Sequence, residues 1–364
     1  MKISIGSKFT DNPYGGGNLF IKNITNYLIS KNHQVIDHLN DPDIDIILLI
    51  NPLKNSEQAT FNNYDIDYYL NFINTNALAI HRINECDQRK NTSGVNKKII
   101  KSNQFIDHTV YVSSWLRDLY IEEGIGFRNN TVIYAGANEN CFNTINKIFW
   151  DGSRKIKLVT HHWSSNPMKG WKDYKKIDEI LNDSKWRNKL EFTYIGNLSE
   201  NQKFKNTNVI MPLKENDLAE ELKKHDIYIT GSLNEPSGNH HIEAAQSGLP
   251  ILYRESGGIP EYCENYGVPF SDDLEMSLSE IISNYEIYKN KVLNYPNNSS
   301  FMSSQFLELF ETLLKNKKNI IRSRKKTIKS LVFIKFFLYK KRKSIKIRLI
   351  ENIKNLKKNV NKTK

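Results

Sequence analysis

Glu235 and Glu243 lie eight residues apart and bracket the turn Ser237-Gly238-Asn239. Carboxylates accept hydrogen bonds from hydroxyl groups, and the free amides of a turn that opens a helix donate to anions. The segment therefore suits a ligand that carries both hydroxyls and phosphate. Ala244-Ala245 and Gly248-Leu249-Pro250 continue it as a small-residue helix packed closely before a buried strand. Lys169, just before Gly170 at another helix start, is a counter-charge for a phosphate. Upstream of it, His161 and His162 are adjacent on a strand and point to opposite faces, so they do not form a metal pair. A glycine loop, Gly15-Gly16-Gly17, leads into a helix over Leu19–Ser30. It is either a close backbone approach to a ligand or a tight turn, and it matches neither Gly-x-Gly-x-x-Gly nor the phosphate loop ending Gly-Lys-Ser/Thr. His81 ends an apolar strand and precedes Arg82-Ile83-Asn84-Glu85-Cys86-Asp87. It can bind a hydroxyl or move a proton, although a lone histidine is more often a hydrogen-bonded part of the framework.

Strands and helices must alternate to place these loops together. Apolar runs bounded by turn residues predict strands at Ile44–Ile50, Ala77–Ile80, Val110–Val112 and Thr131–Tyr134. A second series follows: strands Ile156–Thr160, Phe192–Ile195, Val209–Met211, Ile227–Thr230 and Ile251–Tyr253. Helices are expected at Ser114–Glu123, Lys172–Leu181, Asn216–His225, His240–Ser247 and Leu274–Asn284. The expected fold class is α/β, with two doubly wound, mostly parallel domains facing a cleft. The expected boundaries are 1–145, 146–314 and a tail over 315–364. In such sheets ligands bind at the carboxyl ends of the strands, where the loops above fall.

The composition is that of a globular protein, with 39% hydrophobic and 25% charged residues. Three cysteines without Cys-x-x-Cys exclude a disulfide scaffold and a zinc ribbon and point to a reduced, cytoplasmic setting. No apolar run is long enough for a signal peptide or a membrane span. The net charge of +12 is unevenly divided. Lys315–Lys364 holds 20 of the 52 basic residues and one of the 40 acidic ones, so the tail carries +19 and the body −7. Within the tail, Leu331–Ile334 and Phe336–Tyr339 sit between lysines, which predicts docking on an anionic membrane surface at the inner face. A nucleic acid partner is not expected, because the acidic body opposes it.

The order and spacing of these elements resemble the retaining glycosyltransferases of GT-B fold, family four, with their Glu-x7-Glu signature. The resemblance rests on Glu235-Pro236-Ser237-Gly238 through Glu243 and Gly248-Leu249-Pro250, on Asp226–Ile229 before it, on Ile133–Phe142 as the link ending the first domain, and on Gly15–Gly17. It spans about Met1 to Phe310.

The resemblance implies a metal-independent hexosyltransferase that moves a sugar from a nucleotide-diphosphate-sugar to a glycan or glycolipid acceptor, as in cell-surface polysaccharide or lipid-linked glycan synthesis. No cofactor is implied. Catalytic roles fall to His81 and Glu235, near the transferred sugar. Donor binding falls to Gly16, Gly17, Lys169, Ser237, Gly238, Asn239 and Glu243, with Glu243 on the ribose and Lys169 on the diphosphate. One departure stands out: Ser164 occupies the position where relatives carry an arginine, and His161, His162 and Arg82 are candidates to replace it. The triplets Asp43-Ile44-Asp45 and Asp65-Ile66-Asp67 match Asp-x-Asp, yet both sit at expected strand or helix entries, so no metal is expected. Other GT-B activities, such as sugar-nucleotide epimerisation or phosphorolysis, and a nucleic-acid-binding role for the tail are the alternatives.

Overall fold

The computed structural model of the chain describes residues 1–8, 16–52, 58–127, 129–324 and 327–342. Gly15 and the end of the tail, residues 343–364, lie outside them. The first sheet contains β1 (Lys2–Ile5), β2 (Gln34–Ile36), β3 (Ile46–Leu49), β4 (Leu78–Ile83), β5 (His108–Tyr111) and β6 (Asn130–Val132) in the order β2-β1-β3-β4-β5-β6. The second contains β7 (Ile156–His162), β8 (Leu190–Gly196), β9 (Asn208–Ile210), β10 (Ile227–Thr230), β11 (Ile251–Arg254) and β12 (Gly267–Phe270) in the order β12-β11-β10-β7-β8-β9. Every strand pairing is parallel, so each central strand needs apolar residues on both faces; all four residues of β3 and of β10 are buried. The two doubly wound domains anticipated from the sequence are present.

Helices of the first domain are α1 (Gly16–Ser30), α2 (Asn63–Phe72), α3 (Val95–Ser102) and α4 (Ser114–Glu122). In the second, α5 (Trp171–Ile180), α6 (Ser184–Arg187), α7 (Glu215–Lys223), α8 (Asn239–Gln246), α9 (Ile259–Cys263), α10 (Leu274–Ser283) and α11 (Tyr285–Val292) flank the sheet. The short edge strands β2 and β12 escape the sequence reading, since three or four residues give periodicity little to act on. Asp65 and Asp67 lie inside α2 rather than before it. Asp65 accepts the Asn62 amide in a capping box, and Asp43 and Asp45 hold the Lys2 side chain and amide.

The chain crosses between domains twice at one place. Ala137 forms a parallel bridge with Asn298, where Ser299 donates its amide to the Ala137 carbonyl at 2.7 Å. From there α12 (Ser299–Lys315) returns to the first domain. Its Met302, Phe306, Phe310 and Leu313 join Phe20, Ile24 and Leu28 in that core, with Phe20 and Phe306 edge to face at 5.3 Å.

The tail continues onto the first domain through α13 (Lys317–Ser323) and a helix over residues 329–342. Val332 and Tyr339 are buried, Phe336 stacks on Tyr68 at 4.2 Å, and Tyr339 stacks on Tyr64 at 5.4 Å while accepting a hydrogen bond from Asn62. The rings of Phe333, Phe336 and Tyr339 thus meet those of α2. Between these helices Arg324 donates to both oxygens of buried Asp107 at 2.8 and 2.7 Å and to the Thr75 and Ala77 carbonyls. Arg324→Ala leaves that carboxylate without its counter-charge, held among the described residues only by the Ala79 amide, and about 2–4 kcal/mol of stability is expected to be lost in urea unfolding. Among the described residues, no helix is long and apolar enough to cross a membrane.

Candidate functional site

A cleft of about 630 Å³ opens between the carboxyl ends of the two sheets. Gly17, Arg82 and Arg89 line one wall, and Lys169, Glu235, Ser237, Gly238, Asn239 and Glu243 the other. The sequence-derived donor residues thus converge on one cavity, with Gly16 as the first residue of α1 beside it.

Local backbone explains the second wall. Lys169 closes a 3₁₀ turn whose stop is Gly170 at φ 95°, and a side chain there would sit 2.5 Å from the Gly231 carbonyl carbon. Only glycine fits, so the lysine is held against the loop after β10. Gly238, at φ 72°, turns the chain into α8 and leaves that helix without a side-chain cap, at a start that lines the cleft.

Glu235 is the electrostatic centre. Its carboxylate is 4% exposed and is gripped by Lys169 Nζ and, at 3.3 Å, by Arg89 Nη2 from the first domain. Burial alone would raise its pKa, but Arg89 and Lys169 overcome that and hold it at about 2. The stability this confers is present above the ordinary carboxylate range and is lost only as pH falls toward 2. Burial lowers the pKa of Lys169, against the pull of Glu235. Glu243 projects from α8, and its Oε2 lies 2.9 Å from His161 Nε2. His162 and His240 are hydrogen-bonded to Tyr174 and Thr230, and burial keeps both well below the usual imidazole range. They are framework.

His81 stands apart from the cleft. It lies within β4, fully buried, with Nδ1 2.9 Å from Asn103 Oδ1, and it is not among the described residues lining the cleft. Burial takes its pKa to about 4, so it is neutral at physiological pH. Side chains alternate along a strand, and the neighbour Arg82 is the one that reaches the cleft, its guanidinium 3.9 Å over the Phe20 ring. Sequence reasoning missed Arg89. It lies two residues past the polar run after β4, and its position at a strand's carboxyl end was the available signal.

The domains also meet beyond the cleft. Glu261 of α9 accepts the Ser114 and Trp115 amides at the start of α4, at 2.7 and 2.8 Å. Tyr262 donates to the Val112 carbonyl at 2.5 Å and accepts the Ala135 amide.

Residues 188–294, which contain both glutamates, match the family described as glycosyl transferases group 1. No curated protein matches the sequence. Similar solved structures include the HepE protein of Anabaena in complex with UDP, with a TM-score of 0.62 at 13% identity, covering 86% of this chain and 100% of that one. Sucrose-phosphate synthase from Thermosynechococcus elongatus superposes with a TM-score of 0.59 at 13% identity, covering 86% and 99%. A glycosyltransferase from Rickettsia africae gives 0.56 at 15% identity, covering 85% of each chain. Two parallel α/β domains facing a cleft, a helix returning to the first domain and these likenesses establish the GT-B fold, with the group 1 match seated on the half that carries Glu235 and Glu243.

Proposed function

We propose that the cleft binds a nucleotide-diphosphate-sugar and transfers its sugar to an acceptor hydroxyl with retention of configuration and without a metal ion. The observation that carries this reading is one cavity holding Lys169, Glu235, Glu243 and the uncapped start of α8. Glu243 accepts the ribose hydroxyls, and Glu235 accepts those of the sugar. Lys169 and the amides near Gly238 and Asn239 hold the diphosphate. The catalytic effect comes from orientation and from stabilising charge on the departing diphosphate rather than from a protein nucleophile. The acceptor, a glycan or glycolipid of the kind used in cell-surface polysaccharide or lipid-linked glycan synthesis, enters from the wall that carries Gly17 and Arg82.

Thermal shift against UDP-, GDP-, ADP- and CDP-sugars tests the reading: one donor class should raise the melting temperature, and no shift with any of them would reject it. Glu243→Ala is expected to weaken donor binding by about 1–3 kcal/mol in calorimetry, because charge-assisted hydrogen bonds are lost. Unchanged affinity in a folded variant would misplace the ribose site.

The tail supports a second element of the reading, attachment to the anionic inner face of a membrane. With Val332 and Tyr339 turned inward, Leu331, Ile334, Phe337 and Leu338 are 48–59% exposed on the opposite side of the helix. Lys335 and Arg342 lie on one edge of that face, Lys329 and Lys340 on the other, with Lys340 paired to Asp65, and Lys341 falls within the face at its C-terminal end; a long ammonium side chain can reach the water from there while the apolar groups enter the headgroup boundary.

A further inference from the structure

We propose that Arg89 is a catalytic residue, a guanidinium of the first domain that crosses the cleft to the diphosphate of the donor. The inference rests on the nucleotide-sugar reading above. Arg89 lies in the 3₁₀ turn Gln88–Lys90, beyond the carboxyl end of β4. Its Nη1 is 3.2 Å from Glu85 Oε2 and its Nη2 3.3 Å from Glu235 Oε1. Its Nε is buried and without a hydrogen-bond partner among the described residues. The fork is therefore placed on the site with donor capacity unspent.

The charge balance points the same way. Glu235 is held by two cations from opposite domains, Lys169 and Arg89, where one would neutralise it. Once that carboxylate turns to sugar hydroxyls, two half-buried cations face the same space with Glu85 as the remaining carboxylate beside Arg89, and an anion there is favoured. A diphosphate meets that demand, and a planar guanidinium matches its paired oxygens better than a second ammonium does. Among the other cations lining the cleft, Lys22 is paired with Glu215 and Lys90 with Glu85, Lys214 lies at the rim, and Arg82 stacks over Phe20 with its Nη1 unpartnered; among the described residues Arg89 is the guanidinium in contact with Glu235. Ser164, on the opposite wall, is exposed and carries no charge.

In the reaction the bond between the anomeric carbon and the diphosphate oxygen breaks, and its electron pair stays on that oxygen. The acceptor oxygen bonds to the same carbon on the same face, and the acceptor's proton passes to the departing diphosphate. Arg89 and Lys169 face the oxygen on which charge builds. Because Arg89 comes from the other domain, this stabilisation exists only when the cleft is closed.

The test uses the full chain and the nucleoside diphosphate, among UDP, GDP, ADP and CDP, that most stabilises the wild type. Glu235→Gln serves as a background in which Arg89 is released from Glu235 and keeps only its contact with Glu85. There, adding Arg89→Ala should weaken nucleotide binding by roughly ten- to a hundredfold in calorimetry, with Arg89→Lys intermediate. In the otherwise native enzyme, Arg89→Ala should lower kcat more than it raises KM, and added guanidinium should restore part of kcat. Equal nucleotide affinity with and without Arg89 in the Glu235→Gln background would show that Arg89 only latches Glu235, and would overturn the proposal while the nucleotide-sugar reading stands. Failure of every nucleotide to bind the wild type would overturn both.

Discussion

Lys169→Ala is expected to reduce kcat by roughly 100- to 1000-fold, the scale seen when one preorganised donor to a developing oxyanion is removed. The unfolding midpoint should move little, because Arg89 still compensates the buried Glu235 carboxylate in the variant. The asymmetry between rate and stability distinguishes a charge that acts in the transition state from one that merely holds the loop after β7. Single-turnover kinetics on the folded variant measures it, and a normal kcat would remove Lys169 from the chemistry. EDTA should leave the wild-type rate nearly intact. Complete loss restored by Mg²⁺ or Mn²⁺ would end the metal-free mechanism.

Replacing Leu331, Ile334, Phe337 and Leu338 together by glutamine should abolish flotation with vesicles containing anionic lipid. Each side chain contributes on the order of 1 kcal/mol or more when its exposed half enters the boundary region, so the partition should fall at least a hundredfold. Donor binding should survive, since Phe336 and Tyr339, which stack on α2, and the buried Val332 are untouched. Wild-type flotation should weaken with added salt, because basic residues near an anionic surface contribute about 1 kcal/mol each. Equal flotation of variant and wild type would sink the assignment of this face.

Glu235, Glu243 and Lys169 were legible in the sequence because strand, turn and helix signals lie close together around them, and local spacing decides where such residues project. His81 lies away from the cleft for a reason that spacing also contains: on a strand only one of two neighbours faces a given side, and Arg82 is the one lining the cleft. Arg89 was beyond local reasoning, because its partner Glu235 belongs to another domain. The tail was half legible. Its charge and apolar residues stood out, but the rings that hold it, Tyr64 and Tyr68, belong to α2, so nothing within 329–342 marks which of its aromatics turn inward.

The return of α12 fixes the order in which the protein can be made. The first domain's core is unfinished until Met302, Phe306 and Phe310 arrive, yet Phe20, Ile24 and Leu28 leave the ribosome long before. At about 5–20 residues per second the early half waits on the order of ten seconds or more with an apolar groove uncovered, while the second domain is synthesised and can fold as a continuous stretch. Translation thus runs against the usual vectorial sequence. The later domain matures first, and the earlier one is sealed from behind.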